Sequence, residues 1–309
     1  MRRIAIVMLS LSLALPIIGR ADTPATAKAI LITGASTGIG RNITEHLAAK
    51  GYFVYAGARK QADLDALNAI KNVQAVRLDV TKQEDIDAAV ATITKANRGL
   101  YGLVNNAGVA TIGTATETSP EEFNLVLDVN VYGPYRVTRA FAPLIIAQKG
   151  RITTIGSTAG IAAPRDLTVY SMSKHAMEAF GDSLAQEMTP LGVQVSIVEP
   201  GNFDSELGRS VAKRTGKEHR FTDRSRFKKP DEVAGAVELA LFEATPKRRY
   251  MVAPDQNEAE RAIRKQIEQL VQLNEGHLYT YDRDALVKML DEAMATARPK
   301  IAPVPVAAN

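Results

Sequence analysis

Tyr170 and Lys174 stand four residues apart in the run Tyr170-Ser171-Met172-Ser173-Lys174. On a helix that spacing puts them on one face, one turn apart, where an ammonium acts directly on a phenol. A tyrosine titrates near ~10 and is a poor base at neutral pH. A lysine that favours the phenolate lowers that value, which makes Tyr170 usable as a general acid or base. Ser157 follows an apolar run over residues 151–156 that reads as a buried strand. If strand and helix pack side by side, Ser157 and Tyr170 converge on one oxygen atom, and the chemistry implied is proton transfer to that oxygen. The same spacing also describes an exposed salt-bridging lysine beside a half-buried tyrosine, so the elements around the pair have to decide.

Residues 29–33 form a short apolar run leading into Thr33-Gly34-Ala35-Ser36-Thr37-Gly38-Ile39-Gly40, with helical periodicity over residues 41–50. Strand, glycine-rich turn and helix together cradle a pyrophosphate: glycines let the backbone approach, and the helix N-terminus supplies unpaired amides. A second strand over residues 52–57 ends at Ala58-Arg59. An acid at that strand end suits the ribose hydroxyls of NAD, whereas Arg59 suits the extra phosphate of NADP. Helical periodicity follows over residues 62–70. A third strand over residues 73–80 closes on Asp79, whose carboxylate is placed to accept from an adenine amino group. Thr81, with Glu84 three residues later, reads as a capping box opening a helix over residues 81–97. A fourth strand, residues 100–104, runs into Asn105-Asn106-Ala107-Gly108, small residues where the crevice rule expects a ligand.

Ser119 and Pro120 then cap a helix that continues past Asn130 toward Ile146. Asn130 sits among apolar neighbours, so its amide needs partners, expected to be a main-chain carbonyl and a water. A sixth strand over residues 193–198 ends in Glu199-Pro200-Gly201-Asn202-Phe203-Asp204-Ser205, followed by a helix over residues 230–242 and a last strand over residues 250–253. Strands and helices alternate throughout, which predicts an α/β fold with a doubly wound parallel sheet of Rossmann type over residues 22–255. Beyond it, Ile263, Ile267, Leu270 and Val271 mark one amphipathic helix, and Leu286, Met289 and Leu290 another. These read as core-covering or dimer helices of an extension over residues 256–298, before a proline- and alanine-rich tail, residues 299–309, expected to be disordered.

The chain has 309 residues, 46% hydrophobic and 23% charged, with no cysteine and four histidines. The missing cysteines exclude a disulfide framework, a thiol nucleophile and cysteine-ligated zinc. The scattered histidines offer no ligand spacing, so no metal is expected. From Glu206 to Lys229 nine basic residues face three acids, an excess larger than the whole-chain net charge of +4. That stretch reads either as a solvated loop or as a lid drawing a carboxylate, a phosphate or an anionic membrane surface. Without interleaved stacking aromatics it does not suit nucleic acid. Arg2 and Arg3 precede an apolar run over residues 4–18 and then Gly19-Arg20-Ala21, the layout of a secretory signal peptide. An uncleaved membrane anchor is the alternative, and both place the following domain outside the cytoplasm.

Taken together, TGASTGIG from Thr33, NNAG from Asn105, Asn130, Ser157, YxxxK from Tyr170 and the Pro200-Gly201 turn resemble the short-chain dehydrogenase/reductase family over about residues 29–253. The segments around Asn105 and Pro200 are most similar to its retinol, hydroxysteroid and 3-hydroxybutyrate dehydrogenase branch. The resemblance implies that Tyr170 transfers the proton, Lys174 lowers its pKa and holds the nicotinamide ribose, Ser157 orients the substrate oxygen and Asn130 anchors a water relay. It assigns Gly34, Ser36, Gly38, Ile39 and Gly40 to the pyrophosphate and Arg59 to the adenosine phosphate of NADP(H), preferred over NAD(H). Asp79 and Val80 go to the adenine, and Asn106, Ala107 and Gly108 to the adenosine and its ribose. Pro200, Gly201, Phe203 and Ser205 go to the nicotinamide end, with Ser205 standing where the family commonly has threonine. The expected function is an oxidoreductase interconverting an alcohol and its ketone or aldehyde, working as a homo-oligomer paired through the helices beginning near Pro120 and Tyr170. A non-catalytic nucleotide-binding sensor on the same fold competes, but the intact Asn130, Ser157, Tyr170 and Lys174 speak against it. The export signal is in tension with a cofactor abundant inside cells; a misplaced start codon, leaving a cytoplasmic protein, would resolve it.

Overall fold

Burial is continuous along the first strand, β1 (Ala29–Ile32), because its alternating side chains meet two cores. Ile30 and Ile32 join one cluster and Leu31 the other, as expected for a strand covered on both faces. The computed structural model describes residues 27–216, 218–219 and 221–296. The signal-like segment 1–21 and the tail 299–309 lie outside the described residues.

The further strands are β2 (Phe53–Ala58), β3 (Val73–Arg77), β4 (Gly102–Asn105), β5 (Arg151–Ile155), β6 (Gln194–Pro200) and β7 (Arg249–Val252). They form one parallel sheet in the order β3-β2-β1-β4-β5-β6-β7. Leu31 lies opposite both Tyr55 and Leu103, so the order reverses between β1 and β4 and a crevice opens beyond their carboxyl ends. The helices are α1 (Gly38–Ala49), α2 (Gln61–Asn68), α3 (Gln83–Lys95), α4 (Pro120–Leu127), α5 (Gly133–Ala147), α6 (Thr168–Met188), α7 (Leu207–Thr215), α8 (Asp231–Phe242), α9 (Gln256–Leu273) and α10 (Arg283–Thr296). Ile43 and Leu47 of α1 and Val233, Val237 and Leu241 of α8 cover one face; Ile86 of α3, Phe141 of α5 and Leu184 of α6 cover the other.

Ser119 caps α4 as expected, accepting a hydrogen bond from Glu122 N at 3.3 Å with Pro120 in the first position. A single π-helical turn, Asp128–Tyr132, joins α4 to α5 and carries Asn130.

Two expectations are corrected. The α3 capping box does not form: Thr81 donates its hydroxyl and its amide to Asp79 Oδ1 at 2.8 and 3.0 Å, and the helix begins only at Gln83. The aspartate two residues upstream captures the threonine in a local turn, which competes with capping. The C-terminal helices do not cover the core of this chain. In α9 only Glu258 and Ala262 are buried, while Ile263, Ile267, Leu270 and Val271 each keep about half their surface exposed; α10 buries nothing.

Candidate active site

The carboxyl ends of β1 and β4 are sewn together by one threonine. Thr33 Oγ1 accepts from the amides of Asn106 and Ala107, both at 3.0 Å, and Asn106 Nδ2 donates to the carbonyls of Thr33 and Gly34 at 2.8 and 3.1 Å. Against this seam runs the glycine-rich turn. Gly34 and Gly38 have φ of +66° and +55°, and a Cβ on Gly34 would stand 2.8 Å from Ala107 Cα. Helix α1 starts at Gly38 behind Thr37, whose side chain makes no cap. A closely approachable backbone and an uncapped helix N-terminus form a donor set that fits a pyrophosphate.

At the end of β2, Arg59 keeps 64% of its side chain exposed and lies 3.8 Å from Asp79. Arg77 donates to the Arg59 carbonyl at 2.6 Å, which holds the backbone at that corner.

Ser157, directly after β5, and Tyr170, in the first turn of α6, share a hydrogen bond between their hydroxyls. Ser157 Oγ also stands 3.4 Å from the Pro200 carbonyl and accepts from the Ala159 amide at 3.1 Å. Lys174 donates to the Ile155 carbonyl at 2.8 Å, with Nζ 5.6 Å from the Tyr170 ring centre. Asn130 grips the Val109 backbone at both ends, accepting from its amide at 2.9 Å and donating to its carbonyl at 2.8 Å. It also donates to Ser173 Oγ at 3.0 Å, and Ser173 in turn donates to the Tyr170 carbonyl at 2.7 Å. The main-chain partner expected for Asn130 is therefore present, together with a tie to α6 that the sequence did not suggest. Asn130→Ala leaves two part-buried Val109 backbone groups without their partner and is expected to destabilise the protein by about 1–2 kcal/mol in denaturant unfolding. A change under about 0.5 kcal/mol would show that the π-turn holds without it.

The glycine-rich turn, the corner at Arg59 and Asp79, and the Ser157, Tyr170 and Lys174 side chains open onto one cavity of about 1010 Å³. Every residue expected at the site lines it except Asn130, which lies just behind Val109.

A family model described as short chain dehydrogenase matches residues 28–216. The chain belongs to that family. Short-chain dehydrogenases are NAD(P)-dependent oxidoreductases, and two relatives and one solved structure illustrate the likeness. The mitochondrial D-beta-hydroxybutyrate dehydrogenase of Bos taurus is 41% identical over 58% of this chain and 55% of its own length. This chain thus spans little more than half of the first relatives it matches. The NADPH-dependent 3-dehydrocapnine reductase of Ornithobacterium rhinotracheale is 35% identical over 72% of this chain and 87% of its own. A crystal structure of a short-chain dehydrogenase from Streptomyces avermitilis superposes with a TM-score of 0.69, at 29% identity, over 89% of this chain and all of the other.

The electrostatics of this short-chain dehydrogenase correct one further expectation. The net direction for the Tyr170 phenol is opposite to the one the spacing suggests: burial pushes it up, opposed by the hydrogen bond from Ser157. Burial also lowers Lys174 to about 8, with Glu178 working in the opposite direction. Burial likewise works against the Asp79 carboxylate, but hydrogen bonds from Thr81 and the charge of Arg59 outweigh it and hold its carboxyl below the usual range.

Two contributors escaped sequence reasoning. Thr33 is one, although a threonine closing a strand just before the glycine turn was a usable signal. The other is Glu258, whose Oε1 accepts from Asn202 N at 2.9 Å, Asn202 Nδ2 at 3.0 Å and Thr158 Oγ1 at 3.4 Å. It reaches the Gly201 turn from α9, where Asp255 caps the helix by accepting from the Glu258 amide at 2.9 Å. The basic stretch proves partly self-neutralised. Arg224 pairs with Asp204 and Glu206, and Arg214 bonds Glu122 at 2.6 and 2.8 Å.

Proposed function

We propose that the protein is an NADP(H)-dependent oxidoreductase interconverting an alcohol and its ketone or aldehyde. The observation that carries this reading is the hydrogen-bonded Ser157–Tyr170 pair, with Lys174 one turn on, in the same cavity as the glycine cradle. Bound nicotinamide supplies the hydride; everything else falls to the chain. Ser157 orients the substrate oxygen, and Tyr170 gives that oxygen its proton in reduction and takes it back in oxidation. Lys174 stabilises the phenolate left behind, supplies the proton that restores it and holds the nicotinamide ribose, and Asn130 anchors the water that replaces that proton on Lys174. Gly34, Ser36, Gly38, Ile39 and Gly40 hold the pyrophosphate, Asp79 and Val80 the adenine, and Asn106, Ala107 and Gly108 the adenosine with its ribose. Pro200, Gly201, Phe203 and Ser205 line the nicotinamide end.

The preference for NADP(H) rests on Arg59, the exposed cation at the end of β2, and is supported by the NADPH dependence of the Ornithobacterium relative. Arg59→Ala is expected to weaken NADPH binding about tenfold, the worth of one charge-assisted hydrogen bond, while NADH binding stays within about twofold. Equal losses for both cofactors by fluorescence titration would remove the assignment.

For the substrate, Arg226, Arg261 and Lys265 line the cavity, which favours a carbonyl compound bearing an anionic group. The name of the bovine relative, a hydroxybutyrate dehydrogenase, points the same way. The deciding assay follows NADPH and NADH oxidation with acetoacetate, a ketosteroid and retinal. Turnover of acetoacetate ahead of the two lipophilic compounds supports the anionic reading. Binding of neither cofactor, with no turnover, would overturn the function. Pairing of two copies through the π-turn, α5 and α6, where Tyr132, Tyr135 and Met172 are about half exposed, completes the proposal.

A further inference from the structure

Helix α6 carries an ionisable row at four-residue spacing, Tyr170, Lys174, Glu178 and Asp182, of which the proposed chemistry uses only the first two. The row continues into a buried cluster where α6, β5, β6 and β7 meet. Glu199 of β6 is 2% exposed and the Glu178 side chain 14%. Arg249 of β7 reaches all three acids: Nε lies 3.2 Å from Glu178 Oε2 and 3.3 Å from Glu199 Oε1, and Nη2 lies 2.9 Å from Asp182.

Glu178 and Glu199 hydrogen-bond to each other. Two ionised carboxylates have only acceptors, so the contact requires a proton between them. Glu178 Oε1 and Glu199 Oε1 are both buried without a well-aligned N–H or O–H donor, so each keeps a lone pair for a shared proton. Burial, with the neighbouring Glu178, raises Glu199 to about 8, and burial raises Glu178 as well. The pair thus holds one negative charge at neutral pH. Arg249 is also matched by Asp182, which Arg248 faces too. The next cation along the row is Lys174.

The pair also touches the backbone that carries the reacting groups. A Cβ on Gly156, the residue before Ser157, would stand 2.9 Å from Glu178 Oε1. Glu199 immediately precedes Pro200, whose carbonyl lies 3.4 Å from the Ser157 hydroxyl.

We propose that Glu178 and Glu199 are positioning residues: sharing one proton and clamped by Arg249, they seat α6 against β5 and β6 and place a single negative charge one turn behind Lys174, keeping its ammonium charged. The inference rests on the proposed roles of Tyr170 and Lys174. It concerns how those roles are maintained.

Two variants separate the effects. In E199Q the amide donates to Glu178, so the charge stays beside Lys174. In E178Q/E199Q the shape and hydrogen bond remain but the charge is gone. The alkaline limb of kcat for ketone reduction, set by loss of the Lys174 proton, is expected near pH 8 in the parent and in E199Q. In the double variant it should move down by about one pH unit, with kcat at pH 8 falling about fivefold and the KM for NADPH within about twofold. An unmoved limb in the double variant, or an equal shift in E199Q, overturns the charge role.

A second readout needs no turnover. Between the ordinary carboxyl value of 4.5 and about 8, native Glu199 keeps a proton that the unfolded chain loses, so stability falls as pH rises and levels off above about 8. E199Q should flatten that slope in Tm against pH; the parent slope persisting in E199Q overturns the shared proton, even if the double variant fails to fold. Should the parent turn over no carbonyl at all, the proposed function fails by itself, and the Tm profile still decides the proton.

Discussion

Tyr170→Phe is expected to lower kcat for ketone reduction by about 10³-fold, within the range for loss of a general acid. The ring and its place on α6 remain, so the NADPH dissociation constant should change by no more than about twofold. Its hydroxyl is the one group bonded to Ser157 that can deliver a proton, and burial keeps that proton in place at neutral pH. Lys174, pushed down to about 8, is an ammonium below that value. Reduction should therefore be level with pH up to about 8 and decline above it, whereas oxidation, which needs the phenolate, gains as pH rises. Stopped-flow absorbance of NADPH in a single turnover measures the step directly. A variant keeping a tenth of parental kcat would mean that another group supplies the proton.

Gly40→Ala should be nearly as damaging, for a steric reason. The added Cβ would lie 2.3 Å from both the Gly34 carbonyl oxygen and Asn106 Nδ2. Neither can yield cheaply, because Asn106 Nδ2 is bonded to the carbonyls of Thr33 and Gly34, and these bonds hold the two strand ends together. The turn has to open, which is expected to destabilise the fold by about 1–3 kcal/mol and to weaken NADPH binding at least about a hundredfold. Gly235 in α8 is the contrast: nothing lies within 4 Å of a Cβ there. Gly235→Ala should stabilise by about 0.5–1 kcal/mol through helix propensity alone. Isothermal titration with NADPH and thermal melts of both variants test the pair. Parental NADPH affinity in Gly40→Ala would show that the turn is slack.

The parts of the site that were legible in the sequence are those where residue type is dictated by the backbone at one place. Gly34 and Gly38 adopt left-handed φ, Gly40 sits where no side chain fits, and Pro120 opens a helix behind Ser119. Such demands are local, and the residues announce them. The alternation of short apolar runs with helical periodicity likewise needs only the chain itself, and it yields the doubly wound sheet. What stayed hidden depends on which distant group arrives. Thr81 was a reasonable cap until Asp79 took its hydroxyl. The direction of the Tyr170 shift depends on burial and on where Lys174 spends its protons, neither of which spacing reveals. Glu258 lies 56 residues beyond the Asn202 it holds, and its only local mark is the Asp255 cap. The apolar stripe of α9 predicted a covered face; the stripe exists, but the described residues do not supply the cover.

That helix gives the molecule a mechanical asymmetry. Its buried contacts, Glu258 and Ala262, fall in its first two turns, so the remaining length to Leu273 projects roughly 17 Å beyond its fulcrum. At the fulcrum sits the carboxylate that holds the Gly201 turn. A body resting on the half-exposed stripe would therefore work on the Gly201 turn with leverage, turning a small push at the far end into torque on the loop that follows β6.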